Sequence, residues 1–476
     1  MAEDRAPGLF APRHRALTTG LVLTITFVAS EALAVVTVMP VAAHDLGGLR
    51  LYGWVFSGFM LGSVIGIVLA GREADRRGPA VPFVAGLLLF GSGLALAGLA
   101  PAMGVLVAGR VLQGMGAGAV PSVAYAAIGR SFIGPLRARM MAVLSTAWVL
   151  PGLAGPALAA EVARAFGWRW VFLGLLPVVG IAGSIAVPAL IRLGPPGTPG
   201  TEEHRLIDAF RTAAGATLLL AGLTLAAGSG QIPAGCALIL AGALAGLPAL
   251  RRLLPPGTLA ARPGLPATIL TRGLLTFTFF GADAYVTLAV TAIRHRSPAF
   301  AGLAVTGATL SWTAGAWVQA RLNEKWEGRR LIRTGLVIVL AGIAGMTVAL
   351  RPDVPPWAAV AAWTVGGLGM GLAYAPVSLM MLRNAPPGQE GRTSASLNLA
   401  DVLGIAIGIG VGGAAVAAGA GSHLSLGITV AFAAAAVAGV IALLVSRRLP
   451  DTITPAPPPV PEPVPAPAPD EAPPRG

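Results

Sequence analysis

The chain has 476 residues, 55% of them hydrophobic and 11% charged, against about 45–50% and 25% in an ordinary soluble domain, and that balance excludes a soluble globular fold. Its formal net charge of +13 would suit a nucleic-acid partner only if the cations gathered on one face, whereas they stand in small groups between long apolar runs. Cys236 is the single cysteine and the five histidines are scattered, so no internal disulfide and no cysteine-built metal centre is available; no cofactor or metal is expected.

A membrane-crossing helix takes about 20 mainly apolar residues. The runs here are long and rich in Ala, Leu, Gly and Val, unlike the alternating ten-residue segments of a barrel. They predict fourteen helices, at residues 17–42, 52–70, 81–99, 105–128, 140–166, 170–191, 212–227, 232–250, 267–293, 300–320, 334–350, 357–382, 395–418 and 424–445. The first run is too long for a signal core and continues through Glu31, so it reads as helix 1. Helices 7 and 8 are short and joined by little more than Gly228-Ser229-Gly230-Gln231, and twelve spans is the competing count.

With the amino terminus in the cytoplasm, even-numbered loops and both termini hold 25 of the 33 Lys and Arg residues, and the opposite side holds six. This positive-inside bias fixes both termini in the cytoplasm, and it does not choose between twelve and fourteen spans. Residues 450–476 contain 12 prolines and read as an extended cytoplasmic tail.

The chain repeats itself. Thr26-Phe27-Val28-Ala29-Ser30-Glu31-Ala32 in helix 1 matches Thr278-Phe279-Phe280-Gly281-Ala282-Asp283-Ala284 in helix 9, and a segment from Ala70 to Gly78 is answered, in degenerate form, by Ala320 to Gly328. The organisation that follows is a terminus at 1–16, a six-helix half at 17–193, a linker with two extra helices at 194–265, a second six-helix half at 266–449 and the tail. Inverted or parallel repeats of this kind build a midplane site that opens alternately to each side.

Three motifs carry a resemblance. Between helices 2 and 3, Gly71-Arg72-Glu73-Ala74-Asp75-Arg76-Arg77-Gly78 is similar to the Gly-x-x-x-Asp-Arg-x-Gly loop of the major facilitator superfamily; read alone it is either that gating cluster or a solvated basic loop. Helix 4 contains Arg110-Val111-Leu112-Gln113-Gly114-Met115-Gly116, which resembles the family's Arg-x-x-Gln-Gly-x-Gly motif. Helix 5 contains Gly152, Gly155 and Pro156, similar to the family's antiporter motif, although Ala159 and Ala160 stand where the family has glycines. Two further segments, Glu31 followed by Val35-Val36-Thr37-Val38-Met39-Pro40 and Asp45-Leu46-Gly47, and Trp168-Arg169-Trp170-Val171-Phe172, are similar to the fourteen-helix drug:proton antiporter branch.

The resemblance implies an all-α integral membrane protein of the major facilitator fold, working as a monomer among membrane lipids in the cytoplasmic membrane. It implies export of hydrophobic, cationic small molecules or drugs in exchange for protons. A proton symporter or facilitator for a nutrient is the alternative within transport, and a non-transporting scaffold the alternative of another class; no enzyme constellation is present in the sequence.

Acids inside spans are expensive enough to need a partner, a proton or a wet cavity. Glu31 and Asp283 occupy repeat-equivalent mid-helix positions, so each is either a proton carrier or a buried acid neutralised by Arg110 or Arg272. Arg110 shares a face with Gln113 and serves either packing or proton movement. Asp401, with Asn398 one turn before it, is either a third proton or substrate group or an interhelical clamp. Phe27, Trp148, Phe280, Tyr285, Trp363, Met370 and Tyr374 lie on helices that the resemblance turns toward the cavity.

Overall fold

Twenty-residue runs of Ala, Leu, Gly and Val offer no side chains to hydrogen-bond a backbone kept from water, so each run closes its own bonds as a helix. The computed structural model describes residues 9–12, 14–132, 149–194, 203–322, 326–386, 390–420 and 423–450, with 136, 140, 143 and 147. In chain order the helices are α1 (Arg15–Asp45), α2 (Tyr52–Arg77), α3 (Ala80–Gly98), α4 (Met103–Ser131), α5 (Val149–Phe166) and α6 (Arg169–Ile191, broken after Leu173). They continue with α7 (Glu203–Ser229), α8 (Ile232–Leu253), α9 (Leu265–Leu288, extended by a π turn at Ala289–Ile293) and α10 (Pro298–Leu322). The last four are α11 (Gly328–Ala349), α12 (Trp357–Arg383), α13 (Glu390–Ala418) and α14 (Leu424–Val445).

Among the described residues twelve helices are long and apolar enough to cross a membrane, which corrects the count of fourteen. The two that fall short are not the central pair, since α7 and α8 are both among the twelve. They are α5, whose described part carries Glu161 and Arg164, and α10, where Thr306, Thr309, Ser311 and Thr313 dilute the apolar residues.

A second correction concerns residues 71–78. They do not form a loop: α2 runs on to Arg77, and the chain turns only at Gly78. Glu73 holds Arg77 at 3.2 Å and Arg76 at 3.8 Å along the helix. Gly78 adopts φ 84° and ψ 172°, a region open essentially to glycine alone. Gly78→Ala is therefore expected to cost about 1–3 kcal/mol and to lower the Tm of the detergent-purified protein. Gly71→Ala is the control, because a Cβ there meets nothing within 4 Å.

The first six and last six helices pack alike. α2 and α3 both lie on α4, as α10 and α11 both lie on α12; α1 packs with α5 and α6, as α9 packs with α13 and α14. The two sets meet where α2 lies on α13 and α5 on α10, and α7 lies along both α2 and α13 with α8 beyond it. Asp208 and Arg252, 3.4 Å apart, tie α7 to α8. Ile232, Leu240 and Leu244 of α8 are exposed, which suits a lipid-facing surface.

At the end that carries the α1–α2 connection the two sets are closed on each other. The Tyr52 and Tyr285 rings are 5.8 Å apart. Tyr52 donates to the Ala284 carbonyl at 3.3 Å, Ser57 to that of Ala406 at 2.9 Å, and Thr287 to that of Val36 at 2.9 Å. Here the backbones themselves touch, since a Cβ on Gly53 would lie 2.6 Å from the Gly413 Cα.

Candidate functional site

Arg110 and Gln113 are one turn apart on α4 and so face the same way. Glycines at 62, 114 and 118 let α2 and α4 approach until backbone meets backbone, which carries the Val55 carbonyl and the Phe59 ring up to Arg110. The guanidinium donates through Nε to Val55 at 3.1 Å and lies 4.2 Å over the Phe59 ring. Its Nη1 pairs with Glu31 Oε1 and donates to Gln113 Oε1 at 3.2 Å. Gln113 Nε2 donates to the same Glu31 oxygen at 3.1 Å. All three side chains are buried, Glu31 completely.

The other carboxylate oxygen of Glu31, Oε2, has no hydrogen-bond partner among the described residues. A buried charge is tolerated only when paired and fully hydrogen-bonded, so this oxygen is the unfinished part of the cluster. Protonation there would cancel the carboxylate's charge and release Arg110 from its ion pair.

Asp283 on α9 accepts a hydrogen bond from the Trp363 indole at 2.7 Å. Phe279 stacks on that indole, centroids 5.0 Å apart and 18° from parallel, and fixes its direction. Neither predicted neutraliser reaches Asp283, because Arg110 is taken by Glu31 and Arg272 by Asp401. Arg272 Nε donates to Asp401 at 2.7 Å, Nη1 donates to the Tyr374 carbonyl at 2.9 Å and to Ser378 Oγ at 3.3 Å, and the guanidinium lies 3.2 Å over the Tyr374 ring. Tyr374 closes the set by donating its hydroxyl to Asp401 at 3.1 Å.

Several expected cavity residues are elsewhere. Phe27 is buried edge-on against Phe90, 5.4 Å away, and Tyr285 is buried at the closed end with its hydroxyl donated to the Ile409 carbonyl. Met370 and Trp363 are likewise fully buried, so these four pack or position rather than line open space. Phe280 and Tyr374 stay half-buried. Asn398, expected beside Asp401, is exposed and is not among the groups bonded to that carboxylate. A helical turn of three residues allows that divergence when only one of the two faces a neighbouring helix. Trp148 and the side chain of Asp75 lie outside the described residues.

The antiporter-like segment of α5 meets the second set of helices. Gly152 faces Thr309 of α10, and buried Pro156 faces Gly302, while Gly155 stands against Leu33 of α1. Glu161 and Arg164, one turn apart, form an exposed ion pair on α5. Val55, Phe59, Phe279, Trp312 and Ser378 escaped the sequence reading. Backbone carbonyls and rings carry no charge pattern, and only the glycine spacing of α4 could have pointed to the first two.

The sequence pattern of the Major Facilitator Superfamily matches residues 19–409 and 268–473. A probable multidrug-efflux transporter of Mycobacterium tuberculosis is 27% identical over 405 residues, 82% of this chain and 85% of that protein. The multidrug transporter protein MdtP of Bacillus subtilis is 28% identical over 400 residues, 80% of this chain and 71% of that one. Among solved structures, a peptide transporter in complex with sulfate superimposes with a TM-score of 0.65 at 15% identity, covering 90% of this chain and 94% of that one. The partially occluded, inward-open xylose transporter of E. coli gives 0.58 at 14% identity, covering 90% and 98%.

Proposed function

The chain belongs to the Major Facilitator Superfamily, and on that premise we propose that it exports hydrophobic, cationic small molecules or drugs in exchange for protons. A relative named as a probable multidrug-efflux transporter and another named as a multidrug transporter, each matching about four fifths of the chain, support export. The observation that carries proton coupling is the buried Glu31–Arg110–Gln113 cluster with its one unpartnered oxygen.

In this reading residues 17–193 and 266–449 rock about a midplane site, and residues 194–265 supply two extra helices. The termini face the cytoplasm, where the positive-inside bias puts them, and the membrane is the cytoplasmic one. Glu31 takes a proton from outside and releases it inside as Arg110 approaches and withdraws. Asp283 and Asp401 are the other acids in the path, and Gln113, Phe280 and Tyr374 are wall groups. Gly71, Asp75, Arg76 and Gly78 gate one end of the bundle, and Gly114, Gly152, Gly155 and Pro156 keep helix contacts close enough to slide. The protein is no enzyme, and it acts as a monomer in lipid.

Proteoliposomes with an imposed pH gradient test this. Wild type accumulates a lipophilic dye when the gradient is applied. Glu31→Gln and Asp283→Asn are each expected to slow gradient-driven uptake at least about tenfold, equivalent to about 1.4 kcal/mol of barrier. Wild-type rates in both variants would rule out carboxylate-borne coupling.

A further inference from the structure

Close glycine contacts register the two repeats residue by residue. A Cβ at Gly114 would lie 1.9 Å from the Phe59 carbonyl and one at Gly118 2.2 Å from that of Ser63; a Cβ at Gly367 would lie 2.1 Å from the Ala308 carbonyl and one at Gly371 2.2 Å from that of Trp312. Gly116 presses on Gly86 as Gly369 presses on Gly335. An offset of 253 carries α4 onto α12 in all three cases, and an offset of 249 carries α2 and α3 onto α10 and α11. On this register Arg110 corresponds to Trp363. Glu31 already corresponds to Asp283.

Both halves thus build the same device, a carboxylate on the first helix of the repeat held by a donor from the fourth. The donor in the first half is a cation, and in the second a neutral indole. Glu31 is neutralised by Arg110 and Asp401 by Arg272, while Asp283 has no ion-pair partner among the described residues. A charge at such a position needs a counter-charge.

The surroundings of Asp283 fit an organic cation. Trp312 lies edge-on to Phe279 at 5.5 Å and to Tyr374 at 5.3 Å, and Phe280 is 6.1 Å from Trp312. Phe279 and Trp363 are buried behind, whereas Asp283, Phe280, Trp312 and Tyr374 are half-buried. Phe280 and Asp283 are one turn apart on α9 and share a face. Aromatic faces attract cations, most strongly when water is excluded, and the carboxylate adds a full opposite charge.

We infer that Asp283 and the rings of Phe280 and Trp312 form the seat for the charged end of a lipophilic monovalent cation, Tyr374 being taken by Arg272, and that Glu31, with its built-in arginine, is not a counter-ion for substrate. This deepens the exporter reading and rests on it only for the direction in which the bound cation leaves.

Isothermal titration of the purified full-length protein with tetraphenylphosphonium tests it, with tetraphenylborate as the probe of the same shape and opposite charge. Wild type is expected to bind the phosphonium at least about tenfold more tightly than the borate. Asp283→Asn should weaken phosphonium binding by about tenfold or more, Asp283→Glu should restore it to within about threefold, and Glu31→Gln should leave it within about threefold. Equal affinity for the two probes, full binding by Asp283→Asn, or an equal loss in Glu31→Gln would overturn the assignment. Should Asp283→Asn fail to fold, Trp312→Ala takes its place, with the phosphonium affinity expected to fall and the borate affinity to stay. Export of neutral drugs without phosphonium binding would sink this inference and spare the exporter reading; phosphonium binding without any gradient-driven transport would do the reverse.

Discussion

Replacing Arg110 with alanine is expected to destabilise the protein by about 3–5 kcal/mol, the typical cost of stripping one partner from a buried ion pair, and to abolish gradient-driven export. The Glu31 carboxylate would be left fully buried with only Gln113 donating to it, and the Val55 carbonyl would lose the Nε donor. Adding Glu31→Gln to the same protein removes the stranded charge. The double variant is therefore expected to regain most of the lost thermal stability while remaining inactive, a non-additivity that contacting residues produce and distant ones do not. Thermal unfolding of the four proteins in detergent, read alongside dye uptake, measures both effects. A double variant as unstable as the sum of its single changes would mean that Arg110 and Glu31 do not act as a pair.

Gly53→Leu is expected to stop transport for a different reason. A Cβ on Gly53 would already sit 2.6 Å from the Gly413 Cα and 2.8 Å from the Tyr285 hydroxyl, so a leucine fits only if α2 and α13 part at this end. The closed end would then stay open and alternating access would halt, with transport falling by more than about tenfold if closure is worth more than about 1.4 kcal/mol. The fold within each helix set is unaffected. A cysteine at Thr287, introduced with Cys236→Ser because Cys236 is exposed, reports the change. Its labelling by an impermeant thiol reagent is low while Thr287 bonds Val36, and should rise several-fold in the leucine variant. Unchanged labelling with lost transport would locate the defect elsewhere.

Much of the architecture was legible because membrane helices announce themselves one at a time. The ends of α3, α8, α12 and α14 lie within a few residues of those expected from apolar run length. The extension of α2 through residues 71–77 was hidden by its charges, which look like a loop in sequence yet sit comfortably on the last turns of a helix that reaches water. α10, expected at 300–320, runs from Pro298 to Leu322, although Thr and Ser lower its apolar content where it packs against α5 and α12.

The candidate site divides along the same line. The repeated segments around Glu31 and Asp283 identified two equivalent acids from sequence alone, and the spacing of Arg110 and Gln113 set both on one face, since helical periodicity is a local property. Arg110 and Arg272 stood as possible neutralisers, but which acid each takes was not readable. Arg110 pairs with an acid 79 residues away, Arg272 chooses Asp401 over Asp283, and Phe27, Met370 and Tyr285 are buried in contacts rather than facing a cavity. The sequence by itself determined which charges fall within the long apolar runs and set Glu31 and Asp283 at matching positions of the two repeats. Only the tertiary structure decided that one of two matched carboxylates is neutralised by an arginine and the other merely held by an indole, because that difference arises where helices distant in the chain meet.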